Sequence, residues 1–217
     1  MTDRLQIEDL AVQLGSKSVL KGFSLTLAEG EHVVVTARSG AGKSTLLRCI
    51  LGFVMPERGR IAVDGAALDI HSVWSLRQRM AYVAQEPALG QGSVRAALER
   101  PFTYRANSLL SGNLDRVPKL MEMLRMSTDL LGLDLRDLSG GEKQRVALIS
   151  ALLLDRPILL LDEITASLDR ESAAAVFATL AGLRHQTILA VGHHADALPQ
   201  ADRAVALDRA ATSGAPS

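Results

Sequence analysis

A buried-strand run that passes at once into a glycine-rich loop and a helix narrows most what this chain can fold into. Residues 32–37 read His-Val-Val-Val-Thr-Ala, a nearly continuous β-branched run of the kind found where a strand is covered on both faces. It leads into Ala37-Arg38-Ser39-Gly40-Ala41-Gly42-Lys43-Ser44-Thr45, and residues 44–51 then have helical character that stops at Gly52. Glycines let successive backbone N–H groups turn inward, and a helix N-terminus adds partial positive charge. Arg38, Ser39, Gly40, Ala41, Gly42, Lys43, Ser44 and Thr45 are therefore expected to cradle phosphates as a P-loop does, with Lys43 on the terminal phosphates and Ser44 on Mg²⁺. Ala37 stands where the pattern would place its first glycine, which adds a methyl group at a tight transition. On this segment alone the competing reading is a glycine-rich turn carrying an exposed lysine.

The surrounding pattern supplies a setting. Leu10, Val12 and Leu14, then Phe23, Leu25 and Leu27, alternate with period two about Gly15-Ser16, which predicts a pair of half-buried antiparallel strands. Residues 56–59 give a turn signal before a short strand at 61–63, and Asp64-Gly65 closes a hairpin. Another strand is expected at 80–84, and residues 88–137 lack strand signals but carry helix-compatible runs such as 119–126. A helix at 141–154, a strand at 158–161, a helix at 170–183 and strands at 187–191 and near Val205 complete an alternation that implies a mainly parallel sheet. One unit over residues 1–209 is expected, with a helical lobe over about 88–155 and a small, polar, disordered tail at 210–217.

Two further segments carry chemistry. The apolar strand Ile158-Leu159-Leu160-Leu161 ends in Asp162-Glu163; Asp162 suits the Mg²⁺ shell, and Glu163 suits orienting or deprotonating an attacking water. Without a phosphate loop, two solvated acids at a strand end would be the plainer reading. Leu138-Ser139-Gly140-Gly141-Glu142-Lys143-Gln144-Arg145 places a helix-capping serine before two glycines, so that Ser139, Gly140 and Gly141 form a second anion-binding helix start.

This last segment resembles the signature of ABC ATPases, and the resemblance extends over nearly the whole chain: Gln85 matches the Q-loop, Ala166-Ser167-Leu168-Asp169 the D-loop and His193 the switch histidine. The fold so implied is α/β, a P-loop NTPase with ABC-type architecture: a mainly parallel central sheet flanked by helices, an N-terminal antiparallel β layer and a helical subdomain. The resemblance assigns Glu163, His193 and Gln85 to catalysis and Ser44, Gln85 and Asp162 to the metal. It makes ATP and Mg²⁺ the expected ligands, and it implies a head-to-tail dimer in which each γ-phosphate lies between one P-loop and the partner's signature. Near Val12 many relatives place an aromatic ring against adenine, so Val12 is expected to offer aliphatic contact only. His194 is assigned no catalytic role.

The implied function is an ATP-hydrolysing subunit that powers transport through a separate membrane permease. The chain is then expected to be cytoplasmic and peripheral on the inner face of the membrane. The stretch 161–169, with Ile164 where many relatives have proline or alanine, is similar to small bacterial cassettes assigned to iron or metal export. A soluble ABC ATPase of an assembly or remodelling complex is the alternative; a degenerate nucleotide-binding regulator, motivated by Ala37 and Val12, is a third reading. Composition agrees: 24 basic against 24 acidic residues give no global field for nucleic acid, and the single cysteine, Cys49, rules out an internal disulfide and fits a reducing compartment. The N-terminus has acids where an export signal needs a basic start, and no apolar run approaches the roughly 18 residues of a membrane span.

Overall fold

A computed structural model describes residues 3–207. The expected tail at 210–217 lies outside the described residues. Strands β1 (Asp3–Leu14) and β2 (Lys17–Ala28) form the predicted hairpin, joined by β4 (Arg58–Val63) and the two-residue β5 (Ala66–Ala67) in an antiparallel sheet ordered β2-β1-β4-β5. The second sheet contains β3 (His32–Thr36), β6 (Met80–Val83), β7 (Ile158–Asp162), β8 (Thr187–Gly192) and β9 (Arg203–Ala206), ordered β6-β7-β8-β3-β9. Every pairing within it is parallel.

Both faces of this parallel sheet are covered, which is why its strands read as unbroken apolar runs. Along β3, Val33 and Val35 pack toward the antiparallel layer and α1 (Lys43–Ile50), together with Leu5, Leu27 and Leu46. Val34 points the other way, into a core shared with α3 (Val94–Glu99), α4 (Val117–Met123), α5 (Gly140–Leu153) and α6 (Arg170–Ala181). The period-two alternation of one strand thus divides the interior into two cores.

Departures from the expected pattern have local causes. The helix expected at 119–126 starts at Val117, where Pro118 suits the first turn, and stops at Met123 because Arg125 takes a left-handed φ of 55°. Residues 105–116 form 3₁₀ turns rather than an α-helix, in a segment weakened by Asn107, Ser108, Ser111, Gly112 and Asn113. The turn expected at 56–59 is cut short, since β4 begins at Arg58 and takes in Gly59. There a side chain would lie 2.4 Å from the Glu8 carbonyl at a φ of 95°, so only glycine fits. The short α2 (Val73–Arg77) carries no sequence period long enough to announce it.

Candidate functional site

The parallel strands end together. Thr36 is level with Gly192, Asp162 with Val191 and Val83 with Leu161, so the loops after β3, β6, β7 and β8 emerge on one edge of the sheet. That carboxyl edge is where open α/β sheets bind ligands. A cavity of about 340 Å³ opens there, lined by Ser39, Gly40, Gly42, Lys43, Ser44 and Thr45 from the loop and α1, and by Gln85, Glu163 and His193 from the neighbouring loops.

The loop has the conformation its glycines allow. Gly40 and Gly42 have φ of 73° and 102°, and a side chain at Gly42 would lie 2.7 Å from Val19. No side chain caps α1, so its first amides stay available to a ligand. Ala37 is accommodated: its φ is not among the left-handed ones, its side chain is buried in the core, and its N–H donates to the Gly192 carbonyl at 3.1 Å. Lys43 is 5% exposed, and its ammonium donates to the carbonyls of Ala37 (3.0 Å) and Arg38 (3.2 Å) while pairing with Glu163 Oε1 at 3.1 Å. An ammonium has three donors, and here all three are engaged.

Strand alternation alone would send Asp162 and Glu163 to opposite faces. Glu163 instead takes a left-handed φ of 47° just beyond the strand, a strained conformation for a non-glycine residue, and its carboxylate turns back to Lys43. Its second oxygen, Oε2, lies 3.3 Å from Gln85 Nε2 and 3.2 Å from His193 Nε2. One carboxylate therefore gathers the lysine, glutamine and histidine that the sequence had separated by up to 150 positions.

Asp162 is 2% exposed, and burial is the main reason its carboxyl is pushed above the usual range, against hydrogen bonds from Ser44 and Tyr82 that act in the opposite sense. Tyr82 donates to Oδ2 at 3.2 Å, and its phenol is pushed up to about 12 by burial and the nearby acid. Oδ1 is buried with no hydrogen-bond partner. A buried carboxylate with an unused oxygen beside a serine hydroxyl suits a hard cation that takes one or two protein oxygens and completes its shell with phosphate and water. Among the described residues no cluster of three or more His, Cys, Asp or Glu could hold a metal ion on its own.

Val12 requires correction. It is 1% exposed and packed in the core beneath the antiparallel sheet, out of reach of a base. Two residues on, Leu14 is 49% exposed and lines the cavity with Lys17 and Val19. Leu14 and Val19, not Val12, are the aliphatic side chains that this part of the hairpin presents to the cavity. Neither Leu14, Lys17 nor Tyr82 was singled out in the sequence, because a hairpin end and a mid-strand tyrosine carry no spacing signal.

Ser139, Gly140 and Gly141 do not line this cavity. They begin α5 under a capping box: the Ser139 hydroxyl accepts from the Glu142 amide, and the Glu142 carboxylate accepts from the Ser139 N–H at 2.8 Å and hydroxyl at 2.7 Å. These bonds hold the Glu142 carboxyl below the usual carboxylate range. A side chain at Gly141 would lie 3.1 Å from Leu168 and 3.2 Å from the Ser167 carbonyl, so this helix start is packed on the 166–169 segment.

The family profile described as ABC transporter matches residues 20–166. The chain is similar to an ATP-dependent lipid A-core flippase of Alcanivorax borkumensis, 35% identical over 88% of this chain and 34% of that protein. It is also similar to the methionine import ATP-binding protein MetN of Brucella abortus, 33% identical over 94% of this chain and 57% of the relative. The chain thus spans about a third to somewhat over half the length of these curated relatives. Among solved structures, cbiO1 from Clostridium perfringens, described as part of the ABC transporter complex cbiONQ, superposes with a TM-score of 0.79 at 25% identity, covering 95% of this chain and 85% of that one.

Proposed function

The chain belongs to the ABC transporter family, and from that premise we propose that it binds and hydrolyses ATP to drive transport through a membrane subunit on a separate chain. The observation that carries this reading is the convergence of Lys43, Gln85, Glu163 and His193 on one cavity beside the free amides of α1. Residues 1–209 act in this reading as a single ABC ATPase unit, with the helices between 88 and 155 as its lobe.

The triphosphate lies against the amides of residues 39–45, and Lys43 exchanges its bond to Glu163 for one to a terminal phosphate oxygen. Ser44, Asp162 and Gln85 would hold Mg²⁺, which when bound neutralises phosphate charge. Glu163, released from Lys43, orients the attacking water and accepts its proton, and His193 fixes Glu163 from the other side. Ser139, Gly140 and Gly141 of a second copy close over the γ-phosphate in a head-to-tail dimer. ATP drives closure only insofar as it binds the closed pair more tightly than the open one, and hydrolysis removes that preference.

A membrane partner is supported by the surface. Arg77 lies between the rings of Phe53 (4.2 Å) and Trp74 (5.1 Å), two aromatic residues that are 64% and 72% exposed, and Met55 and Ile70 are exposed close by. Large apolar groups grouped in this way mark an interaction site. Among the described residues no helix is long and apolar enough to cross a membrane, so attachment to the inner face would come through the partner.

The test is steady-state MgATP hydrolysis by the purified chain, with Lys43→Ala as control. Turnover that the substitution abolishes supports the reading, and equal turnover in both proteins overturns it. Co-purification from membranes with a multi-spanning protein separates transport from a soluble assembly role, and Trp74, the single tryptophan, reports docking by a blue-shifted fluorescence.

A further inference from the structure

Gln144 is 2% exposed, one and a half turns into α5 from Ser139, and faces the end of β6. Its Nε2 donates to the carbonyl of Ala84 at 2.9 Å. Ala84 is the residue immediately before Gln85, whose own amide reaches Glu163 at 3.3 Å. The other half of the Gln144 amide, Oε1, is buried without a partner. Buried polar atoms in folded proteins are nearly always bonded, so an orphan of this kind calls for an explanation. It is not needed for packing, where leucine or methionine would fill the volume without an unmet acceptor.

We propose that Gln144 is a positioning residue that couples the Ser139–Gly141 helix start to Gln85, so that engagement of that helix start by the opposite copy's nucleotide sets the geometry of hydrolysis in this copy's own site. This rests on the two-chain reading above. The coupling path is short: the rigid first turns of α5, one side-chain hydrogen bond, one peptide unit and the Gln85 side chain. Residues 84–88 have no regular secondary structure, so their backbone can follow a small movement of α5. The unmet Oε1 gives that movement a preferred end point, because a shift that brings a backbone N–H of this segment to Oε1 completes the amide's bonding. Arg145, the next residue, ties α5 to the carbonyls of Leu124 and Arg125, so a tilt of the helix start is carried by the helix as a body.

The test is Gln144→Met, which keeps volume and removes both the donor and the acceptor. Three quantities are measured on the full chain: the Kd for ATP by calorimetry, MgATP-driven dimerisation in the Glu163→Gln background, and steady-state kcat and KM. The proposal expects Kd and KM within about twofold of the parent and undiminished dimerisation, with kcat reduced about tenfold, which is about 1.4 kcal/mol of transition-state stabilisation. An unchanged kcat overturns it. A parallel loss of affinity, dimerisation and melting temperature also overturns it, because that pattern belongs to a merely structural residue. If Glu163→Gln alone neither binds ATP nor dimerises, the two-chain reading itself fails and the coupling role falls with it.

Discussion

Replacing Glu163 with glutamine should do more than stop hydrolysis; it should tighten ATP binding. The Lys43 ammonium is held by two backbone carbonyls and by Glu163 at 3.1 Å, with the two side chains 5% and 11% exposed. A phosphate can reach Lys43 only by displacing one of these partners, and the mobile one is the carboxylate. At an effective dielectric of about 20, two unit charges at this separation attract by about 5 kcal/mol before desolvation is counted. Most of that is offset by removing both charges from water, which leaves about 1–2 kcal/mol as the difference between a charged and a neutral partner. Glutamine keeps the shape and the contact but not the charge, so ATP should bind about 5- to 30-fold more tightly. The carboxylate would also repel the bound triphosphate, which acts in the same direction. Isothermal titration of the two proteins with ATP in EDTA isolates the effect from Mg²⁺ and from turnover. Equal affinity, or weaker binding by the variant, would refute the argument that Glu163 competes with phosphate for Lys43.

Leu14→Tyr should raise ATP affinity about 2- to 12-fold, since an aromatic ring at this exposed rim position adds about 0.5–1.5 kcal/mol of stacking; an unchanged Kd would show that Leu14 does not face the base. The imidazole of His32, fully buried, is held below its ordinary pKa by burial, so below about pH 6.5 the unfolded chain takes up a proton that the folded one resists. Stability should therefore fall as pH drops from 7 toward 5.5, by at most about 1.4 kcal/mol per pH unit for one proton, and the melting temperature of His32→Gln should depend less steeply on pH over that range. Cys49 is 1% exposed with its thiol pushed up to about 11 by burial, so N-ethylmaleimide at pH 7.5 should label it on the order of 10²–10³-fold more slowly than a free thiol until urea opens the fold; rapid labelling of the native protein would contradict the described core.

Much of this architecture was legible because it is periodic. The β-branched run at 32–36 and the apolar run at 158–161 reported strands covered on both faces, and Gly40 and Gly42 reported the backbone that a phosphate cradle needs. What stayed hidden depended on geometry that no spacing encodes. The left-handed turn at Glu163 lets adjacent acids share a site against strand alternation, and it follows from how β7 ends against β8. Val12 and Leu14 lie on the same side of an ideal strand, but irregular register between β1 and β2 buries the first and leaves the second at the cavity rim. The 3₁₀ segment at 105–116 has no side-chain cap and buries none of its residues fully, so it left no clear periodic signal in the sequence.

In the proposed dimer one triphosphate is gripped by the Lys43 loop of one copy and the Ser139 helix start of another. Sedimentation velocity of Glu163→Gln at micromolar concentration tests this most directly. With MgATP a species of twice the 23.2 kDa chain mass is expected, reverting to single chains when ADP replaces ATP or when Ser139→Arg blocks the helix start. A species that stays at 23.2 kDa under saturating MgATP, with calorimetry showing that nucleotide is bound, would contradict it.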